Sequence, residues 1–176
     1  YRAPGAYVLE QRLPGAAAGR ERATAFYGVG ASGYALGPDA YVLDLLGLGD
    51  AFTSHLQLDR RGIVAHEKPL PTPWIAARLL EPGSGAVDSD FPKPVDFIGS
   101  IDEPAGQSFA EREAIARRVL ACPRLQEFAR TYRAPMTAGR FVDNVGAAFT
   151  NFGFRIPVEP RNAWRELCAG SSNSSR

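Results

Sequence analysis

Cysteine and histidine are scarce in this chain of 176 residues: Cys122 and Cys168 are the two thiols, His55 and His66 the two imidazoles. There is no Cys-x-x-Cys, and neither cysteine has a histidine nearby in sequence, so a zinc site is excluded on ligand supply. His66-Glu67-Lys68 begins like a zinc-protease helix, but that motif needs a second histidine one turn on, and position 70 is Leu. No run approaches the ~18 apolar residues that span a bilayer. No secretory leader is recognisable either, and a chain opening on Tyr1 reads as a part cut from a longer protein. Serine has no nucleophile elbow around it: Ser32 lies between Ala31 and Gly33 and reads as a turn residue. A free-standing hydrolase therefore lacks its nucleophile and base.

Excess charge of one sign is also missing, the net charge being +1. That gives no case for nucleic acid. The charge is unevenly placed, however. Residues 1–110 hold 9 Lys/Arg against 13 Asp/Glu, a net of −4, and residues 111–176 hold 11 against 6, a net of +5. Most of the C-terminal arginines fall on or beside expected helices, so solvated helix faces compete with a basic surface for phosphate or anionic lipid. With 45% apolar and 22% charged residues the chain is globular. Residues 1–170 are expected to form one domain, with 171–176 ("SSNSSR") a disordered tail.

Eighteen glycines and fourteen prolines break the first half into short pieces. Strand character appears at 6–10, 25–29, 40–43, 62–65 and 95–98. "TPW" at 72–74 predicts a helix capped by Thr72 and ended by Pro82-Gly83, and residues 81–107 read as a long loop. Helices follow from Ser108, whose partner Glu111 makes a capping box, then from Pro123, Thr137 and Pro160. Their apolar stripes read as core: Ile115, Val119 and Cys122; then Leu125, Phe128, Ala129 and Tyr132; then Phe141, Val142, Val145, Ala148, Phe149 and Phe152; and last Trp164, Leu167 and Cys168. The expected class is α+β, with a small sheet of short strands in the N-terminal half and helices packed in the C-terminal half.

Gly28-Val29-Gly30-Ala31-Ser32-Gly33 fits the dinucleotide fingerprint letter for letter. That fingerprint needs a long helix after the glycines and an acid ~20 residues on. Gly37-Pro38 leaves no room for such a helix, and Asp44 comes too early for a ribose acid, so the glycines read as turn formers. The denser polar cluster lies downstream, in "YVLDLLGLGD" (41–50) and "LDRRGIVAHEKPLP" (58–71). Asp44 ends a strand and Asp50 is placed to cap a short helix over 51–58. Arg60, Arg61 and Lys68 suit an anion, Trp74 offers a ring to a sugar, and His66 could act as acid, base or hydrogen-bonding group. Each also has an ordinary structural use. Cys122 and Cys168 fit buried thiols and a disulfide equally well.

"YVLDLLGLGDAFTSHL" followed by "AHEKPLPTPW" resembles the C-terminal region of membrane-embedded GT-C glycosyltransferases. In these an Asp-x-x-Gly-Leu-x-Asp segment precedes a Gly-His-(Glu)-Lys/Arg-x-x-Pro segment that ends in an aromatic; Ala65 stands here in place of that glycine. "YRAPGAYVLEQR" and "APMTAGRFVDNVGAAFTNFGFRIP" narrow the resemblance to the terminal β-(1→2)-arabinofuranosyltransferases of mycobacteria and corynebacteria. The resemblance implies a parent in the cell membrane that transfers arabinofuranose from a polyprenyl-phosphate donor to the arabinan of arabinogalactan and lipoarabinomannan. It implies that this chain is a periplasmic cap packed on the parent's own transmembrane domain, helping to bind acceptor or close the active site. The catalytic carboxylate is then expected outside this chain, which holds no catalytic residue and no metal site. On that reading Asp44, Asp50, His66, Glu67, Lys68 and Trp74 face cap or acceptor, Arg60 and Arg61 approach donor phosphate or headgroups, and the basic helical half lies toward the membrane surface. An oxidising compartment favours a Cys122–Cys168 disulfide. Two alternatives remain. A purely structural cap would leave an apolar patch exposed near Tyr1 or residues 50–58 with Trp74 buried; an independent carbohydrate-binding module would bind oligoarabinan alone.

Overall fold

The computed structural model describes residues 7–9, 22–26, 29–37, 40–57, 68–87, 106–133 and 135–169. Among the described residues the architecture is mostly helical and the strands are three short segments, so the α+β expectation is met only in part. β1 (Tyr7–Leu9) runs antiparallel to β2 (Arg22–Phe26), with Tyr7 opposite Ala25. β2 is parallel to β3 (Ala40–Asp44), from Arg22 opposite Ala40 to Phe26 opposite Asp44. The strands expected at 62–65 and 95–98, and the tail at 171–176, lie outside the described residues.

A parallel pair cannot be joined by a tight turn; the chain must cross back over the sheet, and a helix is the compact way to do so. That requirement overrides the expectation that no helix follows the glycines. α1 (Val29–Leu36) forms there, carrying Gly30 and Gly33 within it and packing on β3. Each glycine costs a helix ~1 kcal/mol against Ala, so tertiary packing, not propensity, holds α1. Val29, expected at a strand end, is its first residue.

The helices begin largely where local chemistry directs. Asp50 caps α2 (Ala51–Ser54), which is shorter than the expected 51–58. α3 (Thr72–Leu79) starts one residue earlier than expected: Pro71 holds the N-cap position with no side-chain bond, and Thr72 is already helical. The Ser108/Glu111 capping box opens α4 (Phe109–Ala121), Pro123 restarts the chain as α5 (Pro123–Arg133), and Thr137 caps α6 (Ala138–Asn151). α7 (Pro160–Ala163) widens into a π-helical turn over Trp164–Cys168.

The core is built by α3 lying on α4, with Leu43, Phe52, Leu56, Trp74, Ile75, Leu79, Val119 and Ile156 buried around it. From α4, Arg117 donates to the Ala76, Ala77 and Leu80 carbonyls and pairs with Glu113 at 2.5 Å. It thereby supplies a donor to the Ala77 and Leu80 carbonyls at the end of α3 and a second one to Ala76 O, which also accepts from Leu80 N. The C-terminal return joins the same core through a parallel bridge: Ile156 N donates to His55 O and Gln57 N donates to Ile156 O, both at 2.8 Å.

Cys122, at the end of α4, is bonded to Cys168, at the end of the π turn, with Cα atoms 5.8 Å apart and 46 residues between them in sequence. Closing a loop of that length removes much unfolded-chain entropy. Reduction, or Cys168→Ser, is therefore expected to lower stability by about 2–4 kcal/mol. Urea unfolding with and without dithiothreitol checks this, and coincident curves would refute it.

One stripe departs from expectation. Phe141, Val142, Val145, Ala148, Phe149 and Phe152 share a face of α6 as the period requires, but that face points to solvent, with Phe149 81% and Phe152 86% exposed. The half-buried positions of α6 are Arg140, Asn144, Ala147 and Asn151, which form the opposite side. Asn144 donates to Thr131 O at 2.9 Å, and Asn151 accepts from Arg124 at 3.0 Å. The helix is docked on α5 through its polar edge because α5 offers that edge a carbonyl and a guanidinium, which an apolar face could not satisfy.

Candidate functional site

The cluster singled out in the sequence falls into two parts. Arg60, Arg61, His66 and Glu67 lie outside the described residues, on the connection that leaves at Gln57 and returns at Lys68. Asp44, Asp50, Lys68 and Trp74 are described, and all four are engaged in building the frame from which that connection springs.

Asp44 ends β3 with its carboxylate buried, accepting from Leu46 N at 2.9 Å and Gly49 N at 2.6 Å. Both oxygens thus hold the turn that follows the strand, as short loops with an aspartate at their base commonly arrange. This aspartate stands where a dinucleotide fold would put its ribose acid, at the end of the strand after the glycine helix, but its oxygens are spent on the backbone. Gly47 sits at the crown of the turn with φ 85°; a Cβ there would come within 3.2 Å of Thr53 backbone and 3.3 Å of Lys68 Cβ. Glycine is required at this position on both counts.

Asp50 does more than cap α2. Oδ1 accepts from Thr53 N and Thr53 Oγ1 at 2.8 and 2.7 Å, and both oxygens take the fork of Arg78 at 2.7 Å. The second Arg78 nitrogen also donates to Tyr41 Oη at 2.6 Å, and the guanidinium lies 5.1 Å over the Phe52 ring. Arg78 is 4% exposed. Burial alone would push the Asp50 carboxyl up, but the charge and hydrogen bonds of Arg78, with those of Thr53, outweigh it and hold the group below its ordinary value. Burial likewise opposes the Arg78 charge, and Tyr41 and Asp50 more than restore it. Sequence reading did not single out Arg78 or Tyr41. The available signal was Arg78 as the lone charge in "TPWIAARL", one turn beyond Trp74 on an otherwise apolar helix.

Lys68 donates to Ser54 O, tying the returning end of the connection to α2. His55 uses Nδ1 on Ala51 O at 2.8 Å and packs edge-on against Phe128 with centroids 4.6 Å apart. Trp74, expected to offer a ring face to a sugar, is fully buried: Phe52 lies 5.0 Å away and the indole N–H donates to Val158 O at 2.7 Å. The burial of Trp74 and Asp44 corrects the expectation that these two side chains face a ligand, and half-buried Asp50 is engaged by Arg78 and Thr53. Among the described residues no group of His, Cys, Asp or Glu could hold a metal ion, and no helix is long and apolar enough to cross a membrane.

Residues 100–161, from the approach to α4 through the start of α7, match the family model for the AftB family C-terminal domain. The family resemblance of the sequence holds. Over 142 residues, 80% of its length, this chain is 28% identical to the terminal β-(1→2)-arabinofuranosyltransferase of Mycobacterium tuberculosis. The chain spans about 20% of that relative's length. No solved structure matches it. The AftB-family match covers α4, α5 and α6, whereas the polar cluster at 41–74 lies N-terminal to it. The longer alignment to the mycobacterial transferase is therefore what relates more of the chain to that enzyme.

Proposed function

We propose that this chain is the C-terminal, periplasmic domain of a membrane arabinofuranosyltransferase that adds terminal β-(1→2)-arabinofuranose to cell-wall arabinan from a polyprenyl-phosphate donor. The observation that carries the reading is the similarity of 142 residues to a transferase of that name, supported by the family match over 100–161. The catalytic carboxylate belongs, on this reading, to the membrane-embedded part of the parent, and the chain by itself is inactive. Its role is to bind acceptor or close over it.

Within the domain we assign the acceptor contacts to the 58–67 connection. Asp44, Asp50 and Trp74 are committed to internal bonds, and Lys68 anchors the connection at its end. Arg60, Arg61, His66 and Glu67 are the polar groups of the cluster on that connection, and we assign them to a sugar or a phosphate. Their chemistry is suitable, with a guanidinium fork for phosphate and an imidazole and a carboxylate for sugar hydroxyls. A rigidly held frame carrying a polar connection is the usual arrangement of a binding site.

Titration of the 176-residue chain with a short α-(1→5)-linked arabinofuranose oligosaccharide, followed by amide NMR shifts, tests this. Saturable shifts confined to 57–68, absent with a mannose oligomer and weakened about tenfold by His66→Ala, are expected. A second reading, a structural cap that binds no sugar, is favoured by the burial of Trp74. Unchanged spectra at millimolar arabinan would sink acceptor binding and leave that cap standing.

A further inference from the structure

The orientation of α6 has a physical cost that an isolated soluble domain does not recover. Three phenylalanines exposed by 62–86% present on the order of 350–550 Å² of apolar surface, and Val142 and Val145 extend it. That reaches the upper end of what monomeric proteins leave uncovered. The stripe is carried on a single helix ~21 Å long. Its polar edge is already used against α5.

Charge around the stripe decides what covers it. Residues 123–156 carry five arginines (124, 130, 133, 140 and 155) against Glu127 and Asp143, a net of +3. Arg130 and Arg133 are exposed in the last turn of α5, just before the chain enters α6, and exposed Arg155 follows it. Glu127 is paired with Arg124 at 3.4 Å. An apolar stripe flanked in sequence by exposed Arg130 and Arg133 on one side and by Arg155 on the other fits the pattern of a helix lying in the plane of an anionic lipid surface; Arg155 also donates one nitrogen to the Phe152 and Phe154 carbonyls.

We infer that α6 is a membrane-surface helix: Phe141, Phe149 and Phe152 enter the headgroup–acyl boundary of an anionic bilayer, and Arg130, Arg133 and Arg155 meet the lipid phosphates. This goes beyond the sugar-transfer reading and survives its failure, since it asks nothing of arabinan. The domain is thereby held with one named face on the bilayer.

Flotation of the 176-residue chain with vesicles of phosphatidylcholine and phosphatidylglycerol in roughly equal parts tests it. Binding to these vesicles should exceed binding to pure phosphatidylcholine by about tenfold or more, and should fall with salt. The triple variant F141D/F149D/F152D should abolish flotation while keeping the wild-type circular dichroism and melting temperature, because the three rings are exposed. Phe149→Trp should show a blue-shifted emission only with anionic vesicles. Arg130→Ser with Arg133→Ser should weaken binding to anionic vesicles alone. Wild-type protein that does not float, or floats unchanged by the triple variant, overturns the inference. So does a dimer in sedimentation equilibrium that the triple variant dissolves without any vesicle binding; the face would then belong to a second copy. A monomer indifferent to lipid would likewise overturn it in favour of a protein partner.

Discussion

Arg78→Ala is expected to destabilise the domain by about 3–5 kcal/mol, the usual consequence of removing one partner from a buried ion pair. The loss is not simply that of a salt bridge. It strands the Asp50 carboxylate at 11% side-chain exposure and takes the donor from Tyr41 Oη. It also unpins α3 from the turn that ends at the α2 cap. Replacing both charges, Asp50→Asn with Arg78→Met, should return part of the loss, since a buried pair exchanged for neutral groups costs far less than a broken one. Urea unfolding at neutral pH would measure it, and a loss below about 1 kcal/mol would show that the pair is not part of the frame.

The pH dependence follows with its sign. Asp50 is held below its ordinary value of 3.8 in the folded state. The stability it contributes is therefore present above that value and is lost as pH falls through the lower folded one. Without Arg78 the Asp50 carboxyl loses the charge and the fork that hold it down and keeps only the Thr53 bonds, so it should titrate higher in the variant than in wild type. The gap between wild type and Arg78→Ala is thus expected to narrow in acid and widen toward neutrality. A gap constant from pH 3 to 7 would refute this account of Asp50 (a window set by the carboxylate range).

Trp74→Ala is expected to cost about 3–5 kcal/mol for the volume removed, with a further cost from leaving the half-buried Val158 carbonyl without its donor. Trp74→Phe keeps most of the packing against Phe52 and should lose only about 1–2 kcal/mol, chiefly that hydrogen bond. Thermal unfolding of the two variants separates packing from hydrogen bonding. The pair also bears on function. A tryptophan used as a sugar platform would lose binding with little loss of stability when truncated. A tryptophan that joins α3 to the C-terminal return would unfold the domain instead. Full stability in Trp74→Ala would reinstate the ligand-facing role.

The features legible in the sequence are local ones. Ser108 with Glu111, Thr137, Asp50 and the prolines at 123 and 160 mark helix starts because a cap acts on backbone groups within one turn of itself. The helical period likewise identified the residues that share a face on α4, α5 and α6. The resemblance to the transferase family was legible too, being carried by residue order.

Other features were decided by the fold. α1 forms over a glycine run because β3 pairs parallel to β2, and that pairing joins segments whose local sequence does not announce it. Arg78 has a buried partner because Asp50 and Tyr41 arrive from other elements. Trp74 is inside, and the stripe of α6 outside, for a common reason. Periodicity tells which side chains stand together, whereas burial depends on what a neighbouring element presents to them. Val158 brings the indole its acceptor, and Thr131 and Arg124 draw the polar edge of α6 inward. Apart from α1, sequence alone determined where the helices begin and which residues they align; only the tertiary contacts decided which face each one turns to the core.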